Sequence, residues 1–314
     1  MATSNAPLRI LASGAALLAG LLLLAGCDSY RYDLGNSPQA RAAKLAMGKY
    51  GGGKSASTPQ SGTPMLADSR YTRPEADPGM AAPYISCASF ADCVATAQDL
   101  DRKIGWTLPD FPIGYRTELY QLQQVAGLAI GFAPDDPQAY RYRARARAAL
   151  QDWMGAIDDW TVVLGKQPGN EEALIQRAHL YLAQGYLERA VADANQALIL
   201  EPANVDALVG RAAIRLRLQD PNGALDDATH ALALKPHNVT ALTTRASAHL
   251  QRKEEAPALA DVEQAIVLTP RDSELYALRG NIHETFDEAD LARADYRRAC
   301  ELGNPYWCMI AKRG

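Results

Sequence analysis

The sequence predicts an all-α fold in which five helix-turn-helix units of 34 residues stack as a superhelical solenoid behind an N-terminal helical cap. Three observations carry this. Pro134, Pro168, Pro202, Pro236 and Pro270 follow one another at a constant step of 34 residues. In the frame they set, small residues fall into columns: Ala156, Ala190, Ala224, Ala258 and Ala292 at the twentieth position of each unit, and Ala144, Ala178, Ala212, Ala246 and Gly280 at the eighth. The composition is rich in Ala and Leu with 7% aromatics, which suits close-packed helices better than strands of β-branched and aromatic residues.

In chain order, residues 1–26 read as a signal peptide: a polar start with the single cation Arg9, then an apolar run from Ile10 to Ala25. That run is shorter than the roughly 20 residues that span a bilayer comfortably. The stretch Leu24-Ala25-Gly26-Cys27 resembles the bacterial lipobox, which implies acylation of Cys27 and a chain held at the cell membrane by lipid, facing the periplasm. Asp28 resembles the inner-membrane retention signal of enteric lipoproteins. Residues 27–84, rich in Gly, Ser, Pro and Ala, read as a flexible tether. Within it, Gly48 to Ser55 satisfies the string G-x-x-x-x-G-K-[ST], but neither the strand nor the helix that makes such a loop a phosphate cradle flanks it.

Residues 85–136 read as a helical pair capping the array. Ser89 and Asp92 fit a capping box that leaves Cys87 outside the first helix, and a loop with Gly105, Pro109, Pro112 and Gly114 leads to a second helix from about residue 116. Apart from Cys27, the cysteines form two local pairs, Cys87 with Cys93 and Cys300 with Cys308. In an exported chain these read as disulfides, with zinc as the rival reading.

The units then run 137–170, 171–204, 205–238, 239–272 and 273–306, and residues 307–314 form a short C-terminal cap. The larger apolar knob at the fourth position is Tyr140, Leu174, Leu208, Leu242 and Tyr276. Two charge columns run in step: Arg143, Arg177, Arg211, Arg245 and Arg279 at the seventh position, and Asp159, Asp193, Asp227, Asp261 and Asp295 at the twenty-third. Each Arg is expected to meet an Asp across the helix packing, within a unit or between neighbours; an anion-binding ladder is the functional alternative. The eleventh position varies as Arg147, Tyr181, Arg215, His249 and His283.

The period and small-residue columns resemble those of tetratricopeptide repeat (TPR) proteins, and with the lipobox the whole is similar to bacterial TPR lipoproteins. The turn Ala299-Cys300-Glu-Leu-Gly-Asn-Pro-Tyr-Trp-Cys308 resembles the Sel1-like cysteine-rich repeats, where a disulfide ties one helix end to the next helix start. The TPR resemblance implies partner binding on a concave face that includes the fifth and ninth positions. Here these are Arg141 and Arg145, Ile175 and His179, Val209 and Ala213, Thr243 and Ser247, and Ala277 and Asn281, grading from basic through apolar to polar. Arg141 and Arg145, followed by Glu172 and Gln176, do not match the family's carboxylate clamp. A peptide segment with an acidic end near the two arginines is the expected ligand.

With 36 acidic against 32 basic residues and no basic block, no nucleic-acid partner is expected. No nucleophile elbow is present, and His249 and His283, sharing one column without a visible third ligand, do not make a metal site by sequence. The expectation is a non-enzymatic scaffold without cofactor, metal or small-molecule substrate, binding envelope proteins or peptides. The alternative is a structural subunit of a pilus, secretion or outer-membrane biogenesis assembly.

Overall fold

The computed structural model of the chain describes residues 85–105 and 116–311. The signal segment, Cys27, Asp28, the tether with its Gly48–Ser55 string, and the loop residues Pro109, Pro112 and Gly114 lie outside them. The described residues form thirteen helices. The cap is α1 (Phe90–Ile104) and α2 (Arg116–Phe132). The five units are α3 (Pro137–Ala149) with α4 (Trp153–Lys166), α5 (Glu171–Ala183) with α6 (Leu187–Leu200), α7 (Val205–Arg217) with α8 (Pro221–Leu234), α9 (Val239–Gln251) with α10 (Glu255–Leu268), and α11 (Ser273–Thr285) with α12 (Ala289–Glu301). A seven-residue helix, α13 (Pro305–Ala311), closes the array. None of these helices is long and apolar enough to cross a membrane.

Two local devices repeat with the period. Each first helix is capped by an Asx side chain that accepts a backbone N–H of the first turn: Asp136, Asn170, Asn204, Asn238 and Asp272. Such a cap is worth about 1 kcal/mol. Between the helices of a unit, one residue adopts left-handed backbone: Gln151, Gly185, Gln219, Lys253 and Asp287. Only one of the five is glycine, so the other four carry a cost of about 1 kcal/mol each that the two flanking helices over-determine.

The small columns do what their size predicts. Ala156, Ala190, Ala224, Ala258 and Ala292 are all buried, and so are the Ala residues at the eighth position, which lets the paired helices approach. Gly280 takes that place in the last unit because the Tyr296 ring stands 2.7 Å from where a Cβ would be. Leu174, Leu208 and Leu242 fill the core, while Tyr140 and Tyr276 near the two ends of the array send their hydroxyls to the carbonyls of Pro134 and Pro270.

At the C-terminus the final helix begins at Pro305, two residues before the cap expected at 307. Gly303 in left-handed backbone shortens the turn, and Asn304, standing where the other junctions carry proline, accepts the Tyr306 N–H. Trp307 then stacks on Tyr296 at 5.2 Å between ring centroids and covers the last unit. At both ends of the array the cysteines are placed for a disulfide: Cys87 and Cys93 at a Cα–Cα distance of 5.2 Å, and Cys300 and Cys308 at 4.7 Å. Ser89 caps α1 through the Asp92 N–H, and Cys87 lies outside the helix. The Asp92 carboxylate reaches back one residue beyond the capping-box partner, to the Ala88 N–H.

Candidate functional site

The charge columns resolve first. Every Arg of the seventh position forks onto the Asp sixteen residues later in its own unit, with both N–H···O distances between 2.6 and 2.9 Å. The five aspartates are buried, and the bidentate geometry matches guanidinium to carboxylate. The hydrogen bonds that Arg177, Arg211, Arg245 and Arg279 donate to Asp193, Asp227, Asp261 and Asp295 raise the pKa of those arginines, against the opposing effect of burial. The ladder is neutralised internally and does not form an anion site. Arg177 and Arg211 each spend a further N–H on the preceding unit, at Thr161 and Asn195.

The fifth and ninth positions are placed differently from the open groove floor the sequence suggested. Successive first helices α5, α7, α9 and α11 touch one another, and Ile175, His179, Val209, Ala213, Thr243, Ser247 and Ala277 are buried. Gly210 permits the approach of α7 to α5, since a Cβ there would lie 2.8 Å from His179 Nε2. Thr243 and Ser247 bond back to the carbonyls of Thr240 and Thr243 on their own helix.

The basic end is also occupied. Arg141 is ion-paired with Glu172 of the next unit at 2.8 Å, and Arg145 with Asp101 of cap helix α1 at 2.9 Å. An acidic ligand end would therefore have to displace a carboxylate already in place, one of them on the cap. Burial lowers the Arg145 pKa, with Asp101 and Glu172 opposing the shift. At the other end Asn281 is half-buried, its Oδ1 2.8 Å from the Tyr296 hydroxyl. Along the first helices Glu172, Asp206, Arg217, Gln251 and Asn281 are each half-buried, as is Arg141 beside Glu172, and Glu284 and Thr285 are exposed.

His179 stands out within this face. Its ring is buried, and neither Nδ1 nor Nε2 has a hydrogen-bond partner among the described residues. Burial alone pushes its pKa down to about 4, so the imidazole is neutral at pH 7.

A second repeated site lies at the turn inside each unit. The backbone N–H of the sixteenth position always reaches the carbonyl of the eleventh, at 2.8 to 2.9 Å. That hydrogen bond brings the two side chains together, and they are matched unit by unit: Arg147 with Asp152 at 3.4 Å, Tyr181 edge-on to Tyr186, Arg215 with Asp220 at 3.9 Å, His249 with Glu254 at 2.7 Å, and His283 with Glu288 at 2.5 Å. The signal was present in the sequence as two columns five residues apart; reading the eleventh column alone missed it. His249 and His283, which sequence grouped together, engage separate glutamates. Glu255, at the start of α10, joins His283 and Glu288 so that one ligand atom from each lies within 4.8 Å of the others.

Residues 171–204, the second unit, match the family model described as Tetratricopeptide repeat. A stretch of 53 residues is 43% identical to sperm-associated antigen 1 of Mus musculus, covering 17% of this chain and 6% of that protein. The chain thus matches a small fraction of that relative's length. Among solved structures, a tetratricopeptide repeat protein from Parabacteroides merdae is 20% identical over 71% of this chain and 92% of its own, with a TM-score of 0.53. The Pseudomonas aeruginosa pilF protein is 14% identical over 72% and 99%, with a TM-score of 0.55. At these identities the likeness is one of fold, and it agrees with the helix pairs and the period described above.

Proposed function

We propose that this chain, a tetratricopeptide-repeat solenoid by its fold and its family match, is a lipid-anchored, exported scaffold that holds protein or peptide partners along its first-helix face. The observation that carries the reading is the continuity of that face. Five first helices succeed one another at one period, and their packing columns and charge ladder are satisfied internally. Recognition then falls to the rim residues Glu172, Asp206, Arg217, Gln251 and Asn281, a mixed polar surface suited to an extended segment that spans several units. The lipobox at Cys27 and the two cysteine pairs support an oxidising, membrane-proximal compartment. Asp28 favours the inner membrane.

Photo-crosslinking in cells from Asp206 and Gln251, with Asp226 on the second-helix side as reference, tests the face. Partners are expected from the first two positions and not from the third; equal yields from Asp226 would sink the assignment. Several captured clients identify an adaptor, and one stoichiometric partner identifies an assembly subunit. In the same cells Cys27→Ala should move the chain from the membrane to the soluble fraction, and a variant that stays bound would remove the anchor from the proposal.

A further inference from the structure

Independently of the partner-binding reading, we propose that Glu255, His283 and Glu288 form a binding site for one divalent transition cation of the zinc class, bridging the fourth and fifth units. The three groups come from separate elements: Glu255 is the first residue of α10, His283 lies in the last turn of α11, and Glu288 is the residue before α12. Their ligand atoms lie within 4.8 Å of one another. An ion held at about 2.0 to 2.2 Å from each ligand requires ligand atoms roughly 3 to 3.5 Å apart, so Glu288, now 2.5 Å from the imidazole, must swing away by about 1 Å while Glu255 closes by a similar amount. Imidazole with two carboxylates is a donor set for Zn²⁺, Co²⁺ or Ni²⁺, and water completes the coordination.

The ring is already oriented for the task. Nδ1 of His283 faces Glu288 Oε2 at 2.5 Å, while Nε2 points at Asp295 Oδ2, 3.8 Å away. Nδ1 is therefore the nitrogen that meets the ion. Asp295, locked by the fork from Arg279, lies beyond hydrogen-bond distance of that nitrogen and would have only a short approach to make to back it as outer-shell carboxylates do at metal-bound histidines.

The repeat supplies its own control. One unit earlier the same pair exists as His249 and Glu254, but Pro221 occupies the place equivalent to Glu255. There Arg252 also binds Glu254, at 2.7 Å, and compensates its charge, whereas the equivalent of Arg252 in the last unit is Phe286. The last junction thus combines an extra carboxylate with the loss of the neighbouring cation, and both changes raise the negative charge that a dication would meet.

The test is titration of the full-length chain, without a polyhistidine tag, with Zn²⁺ by calorimetry and with Co²⁺ by visible absorption. One saturable equivalent is expected. Glu255→Gln and His283→Gln should each weaken it by about tenfold or more, the scale on which even outer-shell changes act. Glu254→Gln, at the control junction, should leave it unchanged. Glu255→Gln keeps the size of an accessible side chain, so circular dichroism should match that of the parent. Binding that survives both Glu255→Gln and His283→Gln, an equal loss in Glu254→Gln, or the lack of a saturable equivalent would each overturn the site.

Discussion

The first and third units share their backbone with the fourth and fifth, yet their turns are built from different chemistry. In the first and third, the eleventh residue is Arg147 or Arg215, and its guanidinium reaches both the buried ladder aspartate and a glycine carbonyl in the second helix. Asp159 and Asp227 are thereby held by two arginines each. The sixteenth residue, Asp152 or Asp220, caps the second helix by accepting the N–H of Gly155 or Gly223. In the fourth and fifth units a histidine takes the arginine's place. Glu254 and Glu288 turn to that imidazole, and neither makes a side-chain cap. One pair of columns thus trades a stabilised helix start for a largely buried imidazole beside a more exposed carboxylate, and the second arrangement is the one that can recruit a further ligand.

Loss of the ladder aspartate should separate the two kinds of unit most strongly. Asp227→Ala should cost about 3 kcal/mol by stranding the charge of two half-buried arginines. Asp261→Ala, which strands Arg245 alone, should cost less. Urea midpoints followed by circular dichroism read the difference, and equal losses would mean that the second arginine contributes nothing.

The next contrast is between the glutamate-paired imidazoles and His179. Because burial depresses the folded pKa of His179 to about 4 from an ordinary 6.5, the unfolded chain binds the proton first. Its contribution to stability is complete above pH 6.5 and lost as pH falls toward 4, a change of about 3 kcal/mol at 1.36 kcal/mol per pKa unit. His179→Leu should flatten stability against pH across that window. An unaltered slope would mean that the ring reaches water or another partner.

The smallest effect tests the matched columns directly. Arg215→His with Asp220→Glu converts the third unit's turn to the kind found in the fourth and should cost about 2 kcal/mol, for the lost cap and for the second arginine lost from Asp227. The two changes should be less damaging together than their sum, by about 0.5 to 1 kcal/mol. Strict additivity would show that the two positions do not act as a pair.

Much of the fold was legible in the sequence because its determinants are local and repeated. The proline step, the alanine columns and the arginine and aspartate columns each recur five times, so the helix pairs and the ladder could be read without coordinates. The binding face was less legible. Arg141 and Arg145 read as cations available to a ligand because nothing local marks Glu172 or Asp101 as their partners; Asp101 lies 44 residues from Arg145 and on the cap. The ninth position read as groove, yet His179 faces Gly210 of the neighbouring first helix and Ser247 is buried and bonded to its own helix.

By itself, then, the sequence determined the period, the helix pairs, the residues of the charge ladder and the cysteine pairs, because each is a short-range pattern that any compact packing of this chain must satisfy. Tertiary structure alone decided which carboxylate each arginine holds, how far the first helices close on one another, and that Glu255 of one unit stands beside His283 and Glu288 of the next. Those outcomes depend on the rotation and rise between stacked units, which no single repeat encodes.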